Sequence, residues 1–277
     1  MRALCEPVLV GAREVLETHG SLKGISLVEI EPRAFQVGEI SPEHGLAALD
    51  AARTAIEGAL AGKYHAVVAA PHSETAIRAA GIEFDGYPSF VARTAGLSGD
   101  AGILMLCFRH EEREVRIAHV TLHAAVRRAV EMISPERVAR TIGAVHEALL
   151  KLGIEQPKIA VSGLNPHATG DEELGLIAPA IEALRKSGVA VDGPIGADTL
   201  LQREGYDAYV VMLHDQGHIA AKLLAPNRAV ALAIGTPVLF SSVAHGAAFD
   251  IAGENRADPA AMVEAITRLV TRRRRIP

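Results

Sequence analysis

Short apolar runs of strand length alternate along this chain with segments of helical periodicity. Residues 7–11 (PVLVG) predict a short buried strand, and residues 12–18 the helix after it. Ser41 opens a longer helix through about Ala61, because Pro42 falls at the first helical position and Glu43 in the first turn. Residues 66–70 (AVVAA) form another continuous apolar run, ended by Pro71, and residues 75–80 and 89–95 predict short helices.

The middle of the chain reads differently. Residues 103–108 and 115–120 are strands joined by the charged turn 109–114, a hairpin. Ser134, Pro135 and Glu136 start a helix to about Leu152. Residues 158–162 read as a strand, 178–187 as a helix and 208–213 as a strand. Residues 230–234 and 238–241 are strands, and 259–273 the last helix. Alternation on this scale predicts an α/β fold whose parallel strands are buried on both faces. In such folds ligands sit beyond the carboxyl ends of strands, where this chain places its polar clusters.

Composition narrows the function. Hydrophobic residues make up 49% and charged residues 22%, so a packed core is expected; with no Trp, small and aliphatic side chains must fill it. A formal charge of -5 excludes nucleic acid as the main partner, since phosphate binding needs a basic face. The one basic run, Arg272 to Arg275, reads as a solvated tail favoured by the dipole at the end of the last helix. Cys5 and Cys107 form no ligand or redox spacing, which fits a reduced, cytoplasmic chain. Residues 1–20 carry Glu6, Arg13, Glu14 and Glu17, unlike a secretory signal. No apolar stretch approaches the roughly 20 residues of a membrane span.

Of twelve histidines, His19, His44, His110 and His146 sit in helical or charged surface contexts. Three others follow apolar strands directly: His123, His167 and His214. Three imidazoles at strand ends can bind a divalent metal and leave positions open for substrate, or can serve as hydrogen-bonded structural groups. Residues 244–253 (AHGAAFDIAG), with Asp258 beyond them, form a small-residue loop that lets backbone approach a nucleotide. Asp250 can accept hydrogen bonds from a ribose hydroxyl pair and would repel a 2′-phosphate, favouring NAD over NADP. The chain lacks GxGxxG, so this is not an ordinary Rossmann site.

At these strings a resemblance becomes specific. Residues 163–168 (GLNPHA), 191–194 (VDGP), 197–199 (ADT), 214–217 (HDQG) and 245–253 (HGAAFDIAG) occur in the same order in the 4-hydroxythreonine-4-phosphate dehydrogenase family of vitamin B6 biosynthesis. The similarity runs from about Cys5 to nearly the end. The loop from His245 also resembles the adenosine-binding loop of isopropylmalate dehydrogenases. The resemblance implies a homodimer of subunits with two α/β/α domains and a cleft between them, isopropylmalate/isocitrate dehydrogenase-like. Residues 1–90 with 230–277 would form the cofactor side, and 91–229 the metal, substrate and dimerisation side. It implies a divalent metal on His123, His167 and His214, one of them reaching across from the partner subunit. Three imidazoles favour zinc and leave magnesium, manganese and cobalt open. NAD contacts are expected at His245, Gly246, Ala247, Asp250 and Ile251, with Asn165 and Asp258. Family members begin with a strand and a Gly-rich segment, and this chain starts after it. Either the start is misassigned, or the segment is shortened, or this branch lacks that first strand, and losing the strand would expose a sheet edge.

The substrate residues depart from the biosynthetic pattern. Gly86-Tyr87-Pro88-Ser89 stands where a Gly-His-Thr-Glu string is usual, and Ala231 and Phe240 stand where an Asn and an Arg are usual. Losing the Arg removes a bidentate phosphate clamp and supplies an apolar wall. Lys222 is kept and can pair with a carboxylate. With residues 71–77 (PHSETAI), 119–123 (HVTLH) and 218–227 (HIAAKLLAPN), these features resemble the terephthalate cis-dihydrodiol dehydrogenases of aromatic catabolism. The implied chemistry is oxidation of a β-hydroxy acid by NAD, followed by decarboxylation. Asp215 or Lys222 would act as base, or Asp215 would orient a metal histidine. His72 and Tyr87 are expected substrate contacts, and Asn165 would fix the loop that presents His167. Asp192 and Asp198 fit turn chemistry rather than catalysis. The alternatives are the vitamin B6 enzyme itself and, given the absent first strand, a non-catalytic binding protein.

Overall fold

The computed structural model describes residues 5–226 and 228–270. The expected basic tail at 272–275, the end of the last helix and Asn227 lie outside the described residues. The chain divides into two compact units, residues 5–99 with 236–270 and residues 100–235.

The first unit opens with β1 (Val8–Gly11), α1 (Arg13–His19) and β2 (Ser26–Glu29), the two strands pairing in parallel. Helix α2 (Pro42–Leu60) starts where its sequence signals place it: the Ser41 hydroxyl accepts the His44 N–H at 3.3 Å, and Pro42 fills the first turn. Next come β3 (Val67–Ala69), α3 (Glu74–Ala79) and α4 (Tyr87–Thr94). Gly45 is required where α2 crosses α3, because a Cβ there would run into the backbone of Ala76 and Ile77.

The second unit begins with β4 (Ile103–His110) and β5 (Arg113–His119), the expected hairpin. Then follow α5 (Val126–Met132), α6 (Pro135–Lys151), β6 (Lys158–Ser162), α7 (Ala178–Lys186), β7 (Ala190–Ile195), α8 (Ala197–Leu200), β8 (Ala208–Val211), α9 (His214–Leu224) and β9 (Val230–Ile234). Its strands lie in the order β9-β4-β5-β8-β6-β7. Strands β5, β8, β6 and β7 run parallel to one another, as expected; β4 is antiparallel to both β5 and β9. Helix α6 covers the sheet with Val138, Ile142, Val145 and Leu149, each with no exposed surface. Their i, i+4, i+7, i+11 spacing is the apolar stripe of a helix on a sheet.

The chain then returns to the first unit with β10 (Phe240–Val243), parallel to β3, and α10 (Ala260–Val270).

Two expectations are corrected. A division at residue 230 would place β9 in the first unit, but β9 pairs with β4 along five residues, Val230 to Ile234, and belongs to the second. Residues 191–194, read as a turn, lie inside β7, which pairs with β6 across a bulge between Ala160 and Ser162. The Gly and Pro that signal a turn are accommodated there as an irregularity at a sheet edge.

Candidate functional site

In the second unit, β5 and β8 run in parallel register with His119 opposite Val211, and the pairing continues past both strands. Val120 N–H donates to Val211 O at 2.9 Å and Thr121 N–H to Met212 O at 3.1 Å. Both chains therefore leave the sheet at one rim, and this sets His123 beside His214, ring centroids 5.6 Å apart. The start of α9 is fixed by Gln216. Its side-chain oxygen accepts the N–H groups of Met212 at 2.9 Å and Leu213 at 3.0 Å, and its amide donates to Gly163 O at 3.1 Å. One side chain thus ties the ends of β8 and β6 together.

His214 Nδ1 bonds Asp215 Oδ1 at 2.7 Å, which leaves Nε2 as the ring's lone pair. Asp215 points into solvent, while His218 and Lys222 follow His214 at i+4 and i+8 on one face of α9. His218 stacks on His214 at 3.7 Å, and His119 lies 4.7 Å from His218. Burial pushes His119 down to about 3 and His218 down to about 4, so both are neutral at neutral pH. His119 is 2% exposed, its Nε2 has no hydrogen-bond partner, and a side chain at Gly217 would collide with it.

His167 is set elsewhere. It follows β6 with a φ of 60° and lines a cleft of about 310 Å³ with Ile195, Gly196, Asp198, Thr199 and Arg203. Among the described residues no group of three or more His, Cys, Asp or Glu side chains gathers closely enough to hold a metal. The donor chemistry of His123 and His214, two imidazoles side by side, fits a cation, and this chain could offer these two to it. Asn165 is clasped: its N–H and its amide donate to the two oxygens of Glu173 at 2.7 and 2.8 Å, and the amide also reaches Glu172 at 2.8 Å.

In the first unit His72, Tyr87 and Phe240 come together. The His72 ring meets Tyr87 edge-on at 4.6 Å and Phe84 at 4.9 Å, and Tyr87 lies 5.0 Å from Phe240. Burial pushes the Tyr87 phenol up to about 12 and holds His72 below the ordinary imidazole value, against the pull of Glu74. The patch carries no charge at neutral pH. The loop after β10 turns through Ala248, with a φ of 50°, into a short helical turn at Phe249–Ile251 that exposes Asp250. His44 is more than a surface histidine: Nδ1 bonds Glu39 O at 2.7 Å, Nε2 accepts Gln36 N–H at 3.3 Å, and the ring lies 5.9 Å from Phe249. Asp258 accepts the Ala260 N–H at 2.9 Å, at the start of α10.

Comparison with known proteins decides the family. The profile described as "Pyridoxal phosphate biosynthetic protein PdxA" matches residues 3–269. The chain belongs to the PdxA family. It is an oxidoreductase acting on CH–OH groups. Among its PdxA-type relatives is the 1,2-dihydroxy-3,5-cyclohexadiene-1,4-dicarboxylate dehydrogenase of Comamonas sp, 48% identical over 84% of this chain and 75% of the relative. Among solved structures, a terephthalate 1,2-cis-dihydrodiol dehydrogenase from Burkholderia xenovorans LB400 is 38% identical, with a TM-score of 0.73 over 95% of this chain and 89% of its own. The 4-hydroxythreonine-4-phosphate dehydrogenase of Klebsiella pneumoniae is 30% identical, with a TM-score of 0.79 over 95% and 87%. A β-decarboxylating dehydrogenase from Thermococcus kodakarensis shares the fold, with a TM-score of 0.56 at 16% identity over 95% and 82%. In this PdxA-family chain the sequence reading missed Glu173, Gln216, His119 and His218. Gln216 had a signal, since Gln at the third helical position after a strand is a capping residue.

Proposed function

We propose that the chain oxidises an unphosphorylated β-hydroxy acid with NAD and decarboxylates it, the substrate being a cis-dihydrodiol carboxylate of the terephthalate type. The neutral patch of His72, Phe84, Tyr87 and Phe240 carries this reading, because a phosphate group needs cationic partners and a diene ring needs apolar ones. The 48% identity to a dihydrodiol dicarboxylate dehydrogenase supports it.

In this reading the aromatic patch takes the ring and the loop after β10 the cofactor. Asp250 accepts hydrogen bonds from the adenosine ribose, the backbone from His245 to Ile251 lies against the nucleotide, and Tyr87 and Phe240 wall the diene. Asn165 and Asp258, both expected at the cofactor, are committed in this chain to Glu173 and to the start of α10. His123 and His214 supply two imidazoles to a divalent cation, zinc being favoured, and His167 of a second copy completes the set in a homodimer. A bound cation would make the substrate alcohol more acidic. Asp215 holds His214 in the tautomer with Nε2 free, and Lys222 pairs with a substrate carboxylate. Bound NAD would supply the acceptor for the carbinol hydride, and Lys222 and Asp215 are the candidates on α9 to take the hydroxyl proton. The resulting β-keto acid loses carbon dioxide, and the ring becomes aromatic as a dihydroxybenzoate.

The alternative substrate is 4-phosphohydroxythreonine, favoured by the fit to the Klebsiella pneumoniae enzyme. No helix among the described residues is long and apolar enough to cross a membrane, in keeping with a cytoplasmic enzyme acting on a small molecule. The test is NADH formation with a divalent metal, comparing terephthalate cis-dihydrodiol with 4-phosphohydroxythreonine. Turnover of the diol alone supports the proposal; turnover of the phosphate ester alone overturns it.

A further inference from the structure

Three imidazoles cluster where β5 meets the start of α9. His119, at the end of β5, is 2% exposed and rooted in the sheet, with Nδ1 3.4 Å from Leu104 O. His218 lies against it at 4.7 Å with the rings tilted by 49°, and one face of His218 is stacked on His214 at 3.7 Å with the ring planes 9° apart. That separation is van der Waals contact across the full face of both rings. His218 is also pinned, because Nδ1 sits 3.2 Å from the carbonyl of His214 one turn earlier. Gly217 makes this packing possible: a Cβ there would run into the His119 ring and Ile117.

A histidine at a helix start, half-exposed, ordinarily turns freely about its side-chain bonds. His214 cannot. Asp215 fixes its Nδ1 edge at 2.7 Å and His218 fixes the plane of the ring, so the remaining Nε2 lone pair has a set direction. Groups that orient a metal-ligating histidine ordinarily do so by hydrogen bonding. Here a second imidazole does it by its face.

We propose that His218 is a positioning residue: backed by His119, it stacks its ring face on His214 and presets His214 for a divalent cation. The inference rests on the metal reading above. It differs from that reading in what it requires: a planar ring at 218, not merely a filled space.

Two variants of the full chain separate these requirements. His218→Leu fills the volume without a face, and His218→Phe keeps the face without ring nitrogens. Zn2+ binding to each metal-free protein, measured by calorimetry with a competing chelator, should weaken about tenfold in His218→Leu and stay within about threefold of wild type in His218→Phe. At saturating metal, kcat of His218→Leu should return to within about twofold of wild type, since His218 touches no reacting atom. A purely structural role would lower the melting temperature of both variants without separating their metal affinities. Equal Zn2+ affinity in the Leu and Phe variants overturns the proposal. A wild-type protein that binds no Zn2+ overturns the metal reading itself.

Discussion

Glu173 grips Asn165 twice, one carboxylate oxygen accepting its backbone N–H at 2.7 Å and the other its side-chain amide at 2.8 Å. The first oxygen also accepts the Leu164 N–H at 2.6 Å, so residues 163–170 close around a carboxylate that is 1% exposed. Glu173→Ala leaves buried donors without an acceptor and should cost about 3 kcal/mol or more. A fall in melting temperature on the order of 5–10 °C would report it. A melting temperature within about 2 °C of wild type would show that the clasp carries little of the stability.

The same carboxylate makes stability depend on pH. Burial disfavours its charged form, but the hydrogen bonds from Asn165 and Leu164 outweigh this and hold its pKa below the ordinary glutamate range. A depressed folded pKa means the contribution is complete at neutral pH. It declines once the pH falls below the unfolded value of about 4.3 and is gone below the folded value. Glu173→Gln cannot titrate. The gap in urea midpoint between wild type and Glu173→Gln should therefore be widest at neutral pH and narrow in acid; a constant gap would count against the assignment.

Gly217→Ala sets two effects against each other. Helix propensity alone favours Ala by about 1 kcal/mol. The new methyl group would strike the buried His119 ring and Ile117, and overpacking of this kind costs about 1–3 kcal/mol. Net destabilisation is expected. Adding His119→Ala should recover part of the loss, so the double-mutant cycle should show coupling above about 0.5 kcal/mol. Additive effects would mean that α9 moves away as a whole.

Gln216→Ala removes the acceptor for Met212 and Leu213 and the donor to Gly163, and should destabilise by about 1–3 kcal/mol. Gln216→Glu keeps the acceptor and loses the donor. Its stability should fall between those of wild type and the Ala variant in chemical denaturation, and any other ranking would mean the β6 link is not the lesser part.

Tyr87 provides the functional test of the neutral patch. Tyr87→Phe keeps the ring, and Tyr87→Ala removes it. KM for the dihydrodiol should rise about tenfold in the Ala variant, the equivalent of roughly 1.4 kcal/mol of ring contact, and change little in the Phe variant. A large loss in Tyr87→Phe would assign the work to the hydroxyl instead.

Much of this fold was legible along the chain because its causes are local. The stripe Val138, Ile142, Val145, Leu149 identifies a helix and its buried face within four turns, and Ser41-Pro42 and Ser134-Pro135 mark helix starts by caps that act over three residues. The hairpin of β4 and β5 needed only two apolar runs and a charged turn. His123 and His214 stood out as polar residues just past apolar strands, and His72, Tyr87 and Phe240 as residues of unexpected type.

Tertiary structure decided which of these residues meet. His123 and His214 are 91 residues apart in the sequence and become neighbours because β5 and β8 pair in parallel, while His167, of the same local pattern, follows β6 and lines a cleft with Ile195, Gly196 and Asp198. Apolar periodicity tells a strand which face to bury, not which strand to lie beside. That choice comes from packing across long sequence separations. Glu173 lay in an acidic run that reads as solvated surface until the loop from Gly163 folds back over it, and His218 in a polar string until Gly217 brings α9 against His119. A buried polar group is identified by what surrounds it, and only the folded chain supplies the surroundings.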